Sequence, residues 1–407
     1  MQIWNKVILK GKNMAEKLSI QNFGALKNAE LNEIGQVLFL IGESGSGKST
    51  ILKLLSMCRW IYKQQNIRCY LRYAGVSKMS YFHNVNEYLK SSGILDYMKP
   101  TTLINYERDG VAIEIRASNP FNPKAPAEMD ATEPSVDNMC LEKVSFICEK
   151  RNILSDILAN KESMHPTSFY LRDLHKELEK AWQEVREMEI SVVDANLRTK
   201  EIGGKEVLVV EGKSDNDEES YSIRLEEASS GIQSSVPLDM LLTYYTRHFD
   251  LDRSLNTAVL NFLSRIDELK HFRPDWNVGE IGKKSIDIHI EEPEMCLFPS
   301  NQLRLFNRIL SMTMMDEHPF VIRTAITTHS PYLLNYLNLL FKAYDKETRY
   351  EGVNLDYDKV NVYGVENGTL RDLKIKNAHL VDPEYLSQPI DFIYSKYEEL
   401  DKLESKK

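Results

Sequence analysis

Two short stretches carry side chains that could do chemistry together. The first, "GESGSGKST", runs from Gly42 to Thr50 and fits the pattern GxxxxGK[ST]. Glycines let such a loop curl, so that the backbone N–H groups of Gly42, Glu43, Ser44, Gly45, Ser46 and Gly47 turn inward towards phosphate oxygens. A helix that follows adds the positive end of its dipole. Lys48 is then expected to reach the β and γ phosphates of a nucleotide, Ser49 to hold Mg²⁺, and Thr50 to complete the nucleotide-contacting stretch. The second stretch, "IHIEEPEMCLFP", sets Glu291 beside Glu292 at the end of an apolar run. Neighbouring carboxylates repel, and burial raises their cost unless a cation or hydrogen-bond donors compensate. A divalent cation between loop and strand would do so, with Glu291 on the metal side and Glu292 at the attacking water.

These residues need strands that end at one edge of a sheet. "QVLFLIG" reads as a buried strand into the loop, and "KSTILKLLSMCRWIYKQQ" as the helix out of it. Ile286, Ile288 and Ile290 alternate with Asp287 and His289. That is less apolar than a strand buried on both faces, so one face should pack against something polar; His289 is expected to be a satisfied interior histidine rather than a catalytic one. "FVIRTAITTHSPYLL" reads as another strand, ending at Thr327, Thr328 and His329, and His329 therefore faces the crevice where open α/β sheets bind ligands. In "EASSGIQSSVPL", Ser229, Ser230, Gly231 and Gln233 open an apolar helix, a second anion-binding terminus.

Around them, "KLSIQNFGAL" with "AELNEI" and "TLINYERDGVAIEIRAS" read as hairpins, the latter on an Asp-Gly turn. "SNPFNPKAPAEMDATEPS" reads as an exposed loop and "TSFYLRDLHKELEKAWQEVREMEI" as a charged amphipathic helix. The net charge of -9 argues against coating nucleic acid or anionic membrane. The five cysteines, Cys58, Cys69, Cys140, Cys148 and Cys296, form no CxxC pair and suit reduced thiols in the cytoplasm. No apolar run approaches a membrane span, and residues 1–13 read as an extension before a start at Met14.

The four elements, in this order, resemble the nucleotide-binding head of ABC-type ATPases. The likeness is to the branch of SMC, Rad50, RecF and OLD proteins, and especially to the stand-alone AAA-family ATPases of bacterial anti-phage defence systems. "GESGSGKST" is similar to the Walker A loop, "SSGIQ" to the signature loop, "IEEPEMCLFP" to a Walker B strand running into the D-loop, and "ITTHSP" to the H-loop. The resemblance implies an α/β P-loop NTPase head with a mixed sheet flanked by helices, an antiparallel β subdomain and a short helical insertion. Its parts would be 14–151, 152–200 (the insertion), 201–345 and 346–407. It implies ATP and Mg²⁺, and a homodimer or higher oligomer in which Lys48 and Ser49 of one copy face Ser229, Ser230, Gly231 and Gln233 of the other. Glu292 would be the general base, and His329 would sense the γ-phosphate. No glutamine lies between Gln65 and Gln183, where a Q-loop would fall, leaving Glu149, Arg151 and Asn152 as alternatives. A separately encoded effector partner is implied by the defence likeness, and a DNA-repair or chromosome-maintenance head is the alternative. "VLVVEGKSD" looks like the start of a TOPRIM nuclease domain, but it precedes the signature loop and reads as one arm of a hairpin leading into it.

Overall fold

The computed structural model describes residues 16–76, 84–119, 121–122, 125–159, 168–212, 221–266, 281–385 and 387–404. The expected extension at 1–13 and the start at Met14 lie outside them. Eleven strands form one sheet: β1 (Glu16–Phe23), β2 (Leu26–Leu31), β3 (Val37–Ile41), β4 (Leu103–Arg108), β5 (Val111–Ala117), β6 (Ala127–Ala131), β7 (Cys140–Ile147), β8 (Lys283–Glu291), β9 (Val321–Thr328), β10 (Val360–Glu366) and β11 (Thr369–Asp372). Their order is β6-β5-β4-β1-β2-β11-β10-β3-β9-β8-β7. β10, β3, β9, β8 and β7 run parallel, and β3 is buried along its whole length, as a strand covered on both faces requires. β2, β1, β4, β5 and β6 form an antiparallel lobe. Among the described residues core and lobe meet at a single ladder pair, Thr369 opposite Asn28. The expected mixed α/β sheet with an antiparallel part is therefore present, and the antiparallel part belongs to the same sheet.

The helix Lys48–Tyr73 packs on β7, β8 and β9 and also touches β5, so the sheet wraps around it and apolar residues are buried on most of its faces. Facing this helix, β8 presents Ser285, Asp287, His289 and Glu291, because side chains on a strand alternate between faces. The polar surroundings expected there are three buried arginines. Arg59 donates to both carboxylate oxygens of Glu16, at 2.8 and 2.9 Å, and lies 3.2 Å from Nε2 of His289. Arg108 reaches Glu142 and Asp287, and Arg323 donates to Asp287 at 2.7 Å. Burial alone would raise the Glu16 carboxyl, but Arg59 and Arg108 hold it down at about 2. Burial and then Arg59 pull His289 down to about 3, so the ring is neutral, with Nδ1 2.9 Å from the carbonyl of Ser145.

The Asp109-Gly110 turn expected between β4 and β5 has φ of 51° and 83°, as a two-residue hairpin turn of this composition requires. The Pro-rich stretch expected as a loop differs: within it Ala127–Ala131 pairs with β5 as the edge strand β6. Its flanking prolines lack an N–H but stand outside the paired residues, which leaves the ladder intact. Between 152 and 200 the helices Leu154–Ala159 and Phe169–Glu184 are followed by strands. Glu187–Ile190, Ala195–Ile202, Lys205–Gly212 and Ser222–Arg224 make a separate four-stranded antiparallel sheet. There Glu211, the acid of the nuclease-like string, is ion-paired with Arg198 and Lys200. Among the described residues no helix is long and apolar enough to cross a membrane.

Candidate functional site

The loop from Gly42 to Ser49 leaves β3 and enters the helix at Lys48. Gly47, just before the helix, has φ of 111°, and a Cβ there would lie 2.6 Å from Leu26, so both backbone and space demand glycine. Lys48 is buried, and its Nζ donates to the carbonyls of Gly42 and Glu43 at 2.9 and 2.8 Å, which holds the ammonium inside the curve of the loop. Burial lowers its pKa, while Glu292 and Glu294 work against that. The first turn of the helix has N–H groups without intrahelical acceptors, directed at any anion in the loop. Beside the loop lies a cavity of about 760 Å³, bordered by Lys27, Glu366, Asn367, Arg371 and Tyr385. That is within the range of small-molecule sites.

Glu291, the last residue of β8, keeps the helix-facing parity of Asp287 and His289. It therefore faces Ser49 in the first helical turn, whose hydroxyl favours the ionised form of its carboxyl. Glu291 is 2% exposed, and its carboxyl is pushed up to about 8 by burial and then by Glu149 beside it. Glu292 leaves the strand at φ 45°, a conformation uncommon for a residue other than glycine. Its half-buried carboxylate lies 3.2 Å from Nε2 of His329, at the end of β9. This contact holds the Glu292 carboxyl below its ordinary range, against the effect of burial. The adjacent acids thus point to different partners, one to Ser49 and one to His329.

Two further residues fix this arrangement. Arg151 is fully buried, and its guanidinium donates to the carbonyls of Glu291 and Glu292 at 2.7 Å each, of Ser234 at 2.9 Å and of Pro293 at 3.3 Å. Glu294 accepts from the hydroxyl of Thr328 and the backbone N–H of His329, both at 2.7 Å. Arg151 stood in the sequence only as one alternative of three for a Q-loop role. Glu294 carried no signal beyond its place in "EEPE". The remaining alternatives also separate here: Glu149 faces Glu291, whereas the backbone carbonyl of Asn152 accepts from Ser155.

Lys48, Ser49, Glu291, Glu292 and His329 are thus gathered at the carboxyl ends of β3, β8 and β9. Ser229, Ser230, Gly231 and Gln233 stand apart. Ser230 opens the helix Ser230–Arg247 with Ser229 as N-cap, and both serines are exposed. A Cβ on Gly231 would lie 3.0 Å from the carbonyl of Cys296, so this helix start packs on the turn after Glu292. The amide of Gln233 donates to the carbonyls of Glu226 and Ala228, which fixes the loop before this helix.

No family model matches the chain, and no curated protein matches it. Among solved structures it is similar to an SMC head bound to the C-terminal winged-helix domain of ScpA, at 11% identity, covering 90% of this chain and 100% of that one, with a TM-score of 0.39. It is similar to the SMC head domain of Thermotoga maritima at 10% identity, covering 89% and 100%, with a TM-score of 0.36. It is also similar to the recombination mediator RecF at 12% identity, covering 88% and 98%, with a TM-score of 0.32. Likenesses at these scores carry no functional weight; the side-chain geometry does.

Proposed function

We propose that this chain binds and hydrolyses ATP as an ABC-type ATPase head working in a dimer. The observation that supports this most is the division of labour between the adjacent acids, Glu291 beside the Ser49 of a phosphate-type loop and Glu292 bonded to His329. In this reading Lys48 and the first helical turn bind the β and γ phosphates. Ser49 and Glu291, both hard oxygen donors, would hold Mg²⁺, which when bound neutralises charge on those phosphates. Glu292, kept ionised by its contact with His329, takes a proton from water and becomes neutral, while the bond to His329 keeps its carboxyl in position. Exposed Ser230, whose bonds do not reach the loop of its own chain, serves the site of a second copy.

Within that reading we propose the finer role of sensor or regulatory ATPase in an anti-phage defence system, acting with a separately encoded effector. Its support is the sequence resemblance alone, which is an analogy of family and not of site. The dimer is tested by mixing. Ser230→Arg should leave ATP binding intact and stop turnover, and Lys48→Ala should stop binding. Mixed, the two chains can rebuild one composite site, and partial recovery of turnover with ATP-dependent dimerisation by light scattering is expected. Unaltered turnover in Ser230→Arg with no dimer at saturating ATP would refute the shared site.

A further inference from the structure

The helix Gln388–Glu404 carries an apolar stripe that its own chain leaves uncovered. Every residue from Ile390 to Lys402 is exposed, and Ile390, Ile393, Tyr397 and Leu400 are each at least half so. An isolated helix of this length needs strong helix formers, and Ile390, Ile393 and Tyr397 are not among them, so its stability must come from packing along the stripe. Large apolar side chains displayed together mark a site of association. What covers them can be read from the spacing. The four residues are separated by three, four and three positions, the a and d places of two heptads and the seam of a coiled coil. On this register Lys396 falls at g and Asp401 at e. In a parallel pair, g of one helix stands beside e of the other five residues on, so Lys396 of each copy meets Asp401 of the other. In an antiparallel pair g stands beside g and e beside e, and these two charges do not meet. The bonds that Lys396 makes within its own helix, to Glu399 at 3.0 and 2.9 Å, lie on an exposed surface and contribute little, so its ammonium is available to a partner.

We infer that the helix Gln388–Glu404 pairs with the same helix of a second copy as a short parallel coiled coil, joining two chains without nucleotide. The apolar seam supplies the affinity, and the Lys396–Asp401 pairs set the direction. This contact is separate from the shared ATP site proposed above; only its consequence rests on that reading. Tyr385 and Gln388, at the root of the helix, border the cavity beside the phosphate loop. Chains joined there hold their two loops within reach of each other, so closure on ATP becomes a step inside one molecule and does not weaken on dilution.

The full chain is studied without nucleotide by sedimentation velocity at about 100 µM, where even a weak pair is populated. Wild type and Lys48→Ala should both contain dimer. Tyr397→Asp alters an exposed side chain, which leaves the fold intact, and should weaken association at least about tenfold by setting two carboxylates in the seam. Cross-linking reads the geometry. Under oxidation Leu400→Cys, on the seam, should form a disulfide-linked dimer at least about tenfold faster than Ser395→Cys on the opposite side of the helix, because only the first brings the two Cβ atoms within bonding range. Wild type, with Cys296 exposed, is the blank. Monomeric wild type, association unchanged by Tyr397→Asp, or equal cross-linking at the two positions overturns the assignment; the first of these would give the stripe to a different protein. Failure of the nucleotide reading would leave all three measurements as expected, since none of them contains ATP.

Discussion

Replacing Arg151 tests whether the site is held by one guanidinium. Its strongest bonds go to the carbonyls of Glu291 and Glu292 at 2.7 Å and of Ser234 at 2.9 Å, joining the strand that carries both acids to the helix that begins at Ser230. Bonds from a charged donor contribute about 1.5–3 kcal/mol each. Non-additivity brings the expected loss for Arg151→Met to about 3–5 kcal/mol, since several buried carbonyls are left without a donor at about 1–3 kcal/mol each. Arg151→Lys keeps a cation with a single donor centre and should lose about 2 kcal/mol. The kinetic effect is separate. Glu292 sits at φ 45°, a strain of about 1–3 kcal/mol that persists only when its surroundings over-determine it. Freed of the carbonyl clamp, Glu292 should relax away from His329, and kcat should fall about 10- to 100-fold, since about 1.4 kcal/mol is tenfold, with KM for ATP changed less than threefold because Lys48 is untouched. Denaturant titration and steady-state ATPase assays of both variants read the two effects. A lysine variant with kcat within twofold of wild type, whatever its stability, refutes the positioning role.

Glu292→Gln should keep ATP affinity and lose turnover at least about 100-fold, because the amide preserves shape but cannot accept the proton. Glu291→Gln should instead raise the Mg²⁺ concentration needed for half-maximal ATP binding; if Glu291→Gln abolishes turnover at saturating Mg²⁺ while Glu292→Gln still turns over, the two roles are reversed. Glu16→Gln should destabilise the fold in a pH-dependent way. The Glu16 carboxyl is lowered from 4.5 to about 2 in the folded chain, so its contribution is present above pH 4.5 and is lost as pH falls towards 2, amounting to about 3 kcal/mol at neutral pH. Urea titrations from pH 6 to pH 3 should show the gap between wild type and variant narrowing below pH 4.5; a gap constant across that range would show that Arg59 does not hold this carboxylate.

The parts of the site that the sequence displayed are those whose chemistry is local. Gly42 to Ser49 follow one another, and backbone freedom with an adjacent lysine suffices to suggest a phosphate loop. The alternation of Asp287 and His289 with isoleucines likewise announced a polar face, because strand parity is a local rule. What faces it was not legible. Arg59, Arg108 and Arg323 lie on a helix, on a lobe strand and on β9, and only the wrapping of the sheet brings them to Asp287. The same holds for Glu149, one of three alternatives until the pairing of β7 with β8 carried it to Glu291. Gln233 shows another non-legible use, since nothing in its neighbours announced that its amide would tie two carbonyls of the preceding loop.

The single rung between β2 and β11 has a mechanical meaning. Among the described residues, Thr369 opposite Asn28 is the only ladder pair holding the antiparallel lobe to the parallel core. A sheet loaded across that line would tear there first, one ladder pair resisting where the ladders on either side, β1 with β2 and β10 with β11, offer five and four. The lobe is held shut elsewhere, by Glu16 on Arg59 and Arg108 on Asp287, contacts that are dry and therefore little screened by salt. Peeling the lobe away means bringing those charges into water together, so it is riveted to the core at a few buried points instead of zipped along an edge. The force or denaturant at which it lifts is set by the hydration of guanidinium and carboxylate groups together with exposure of the apolar cluster that lobe and core share, and the peptide ladder has little say in it.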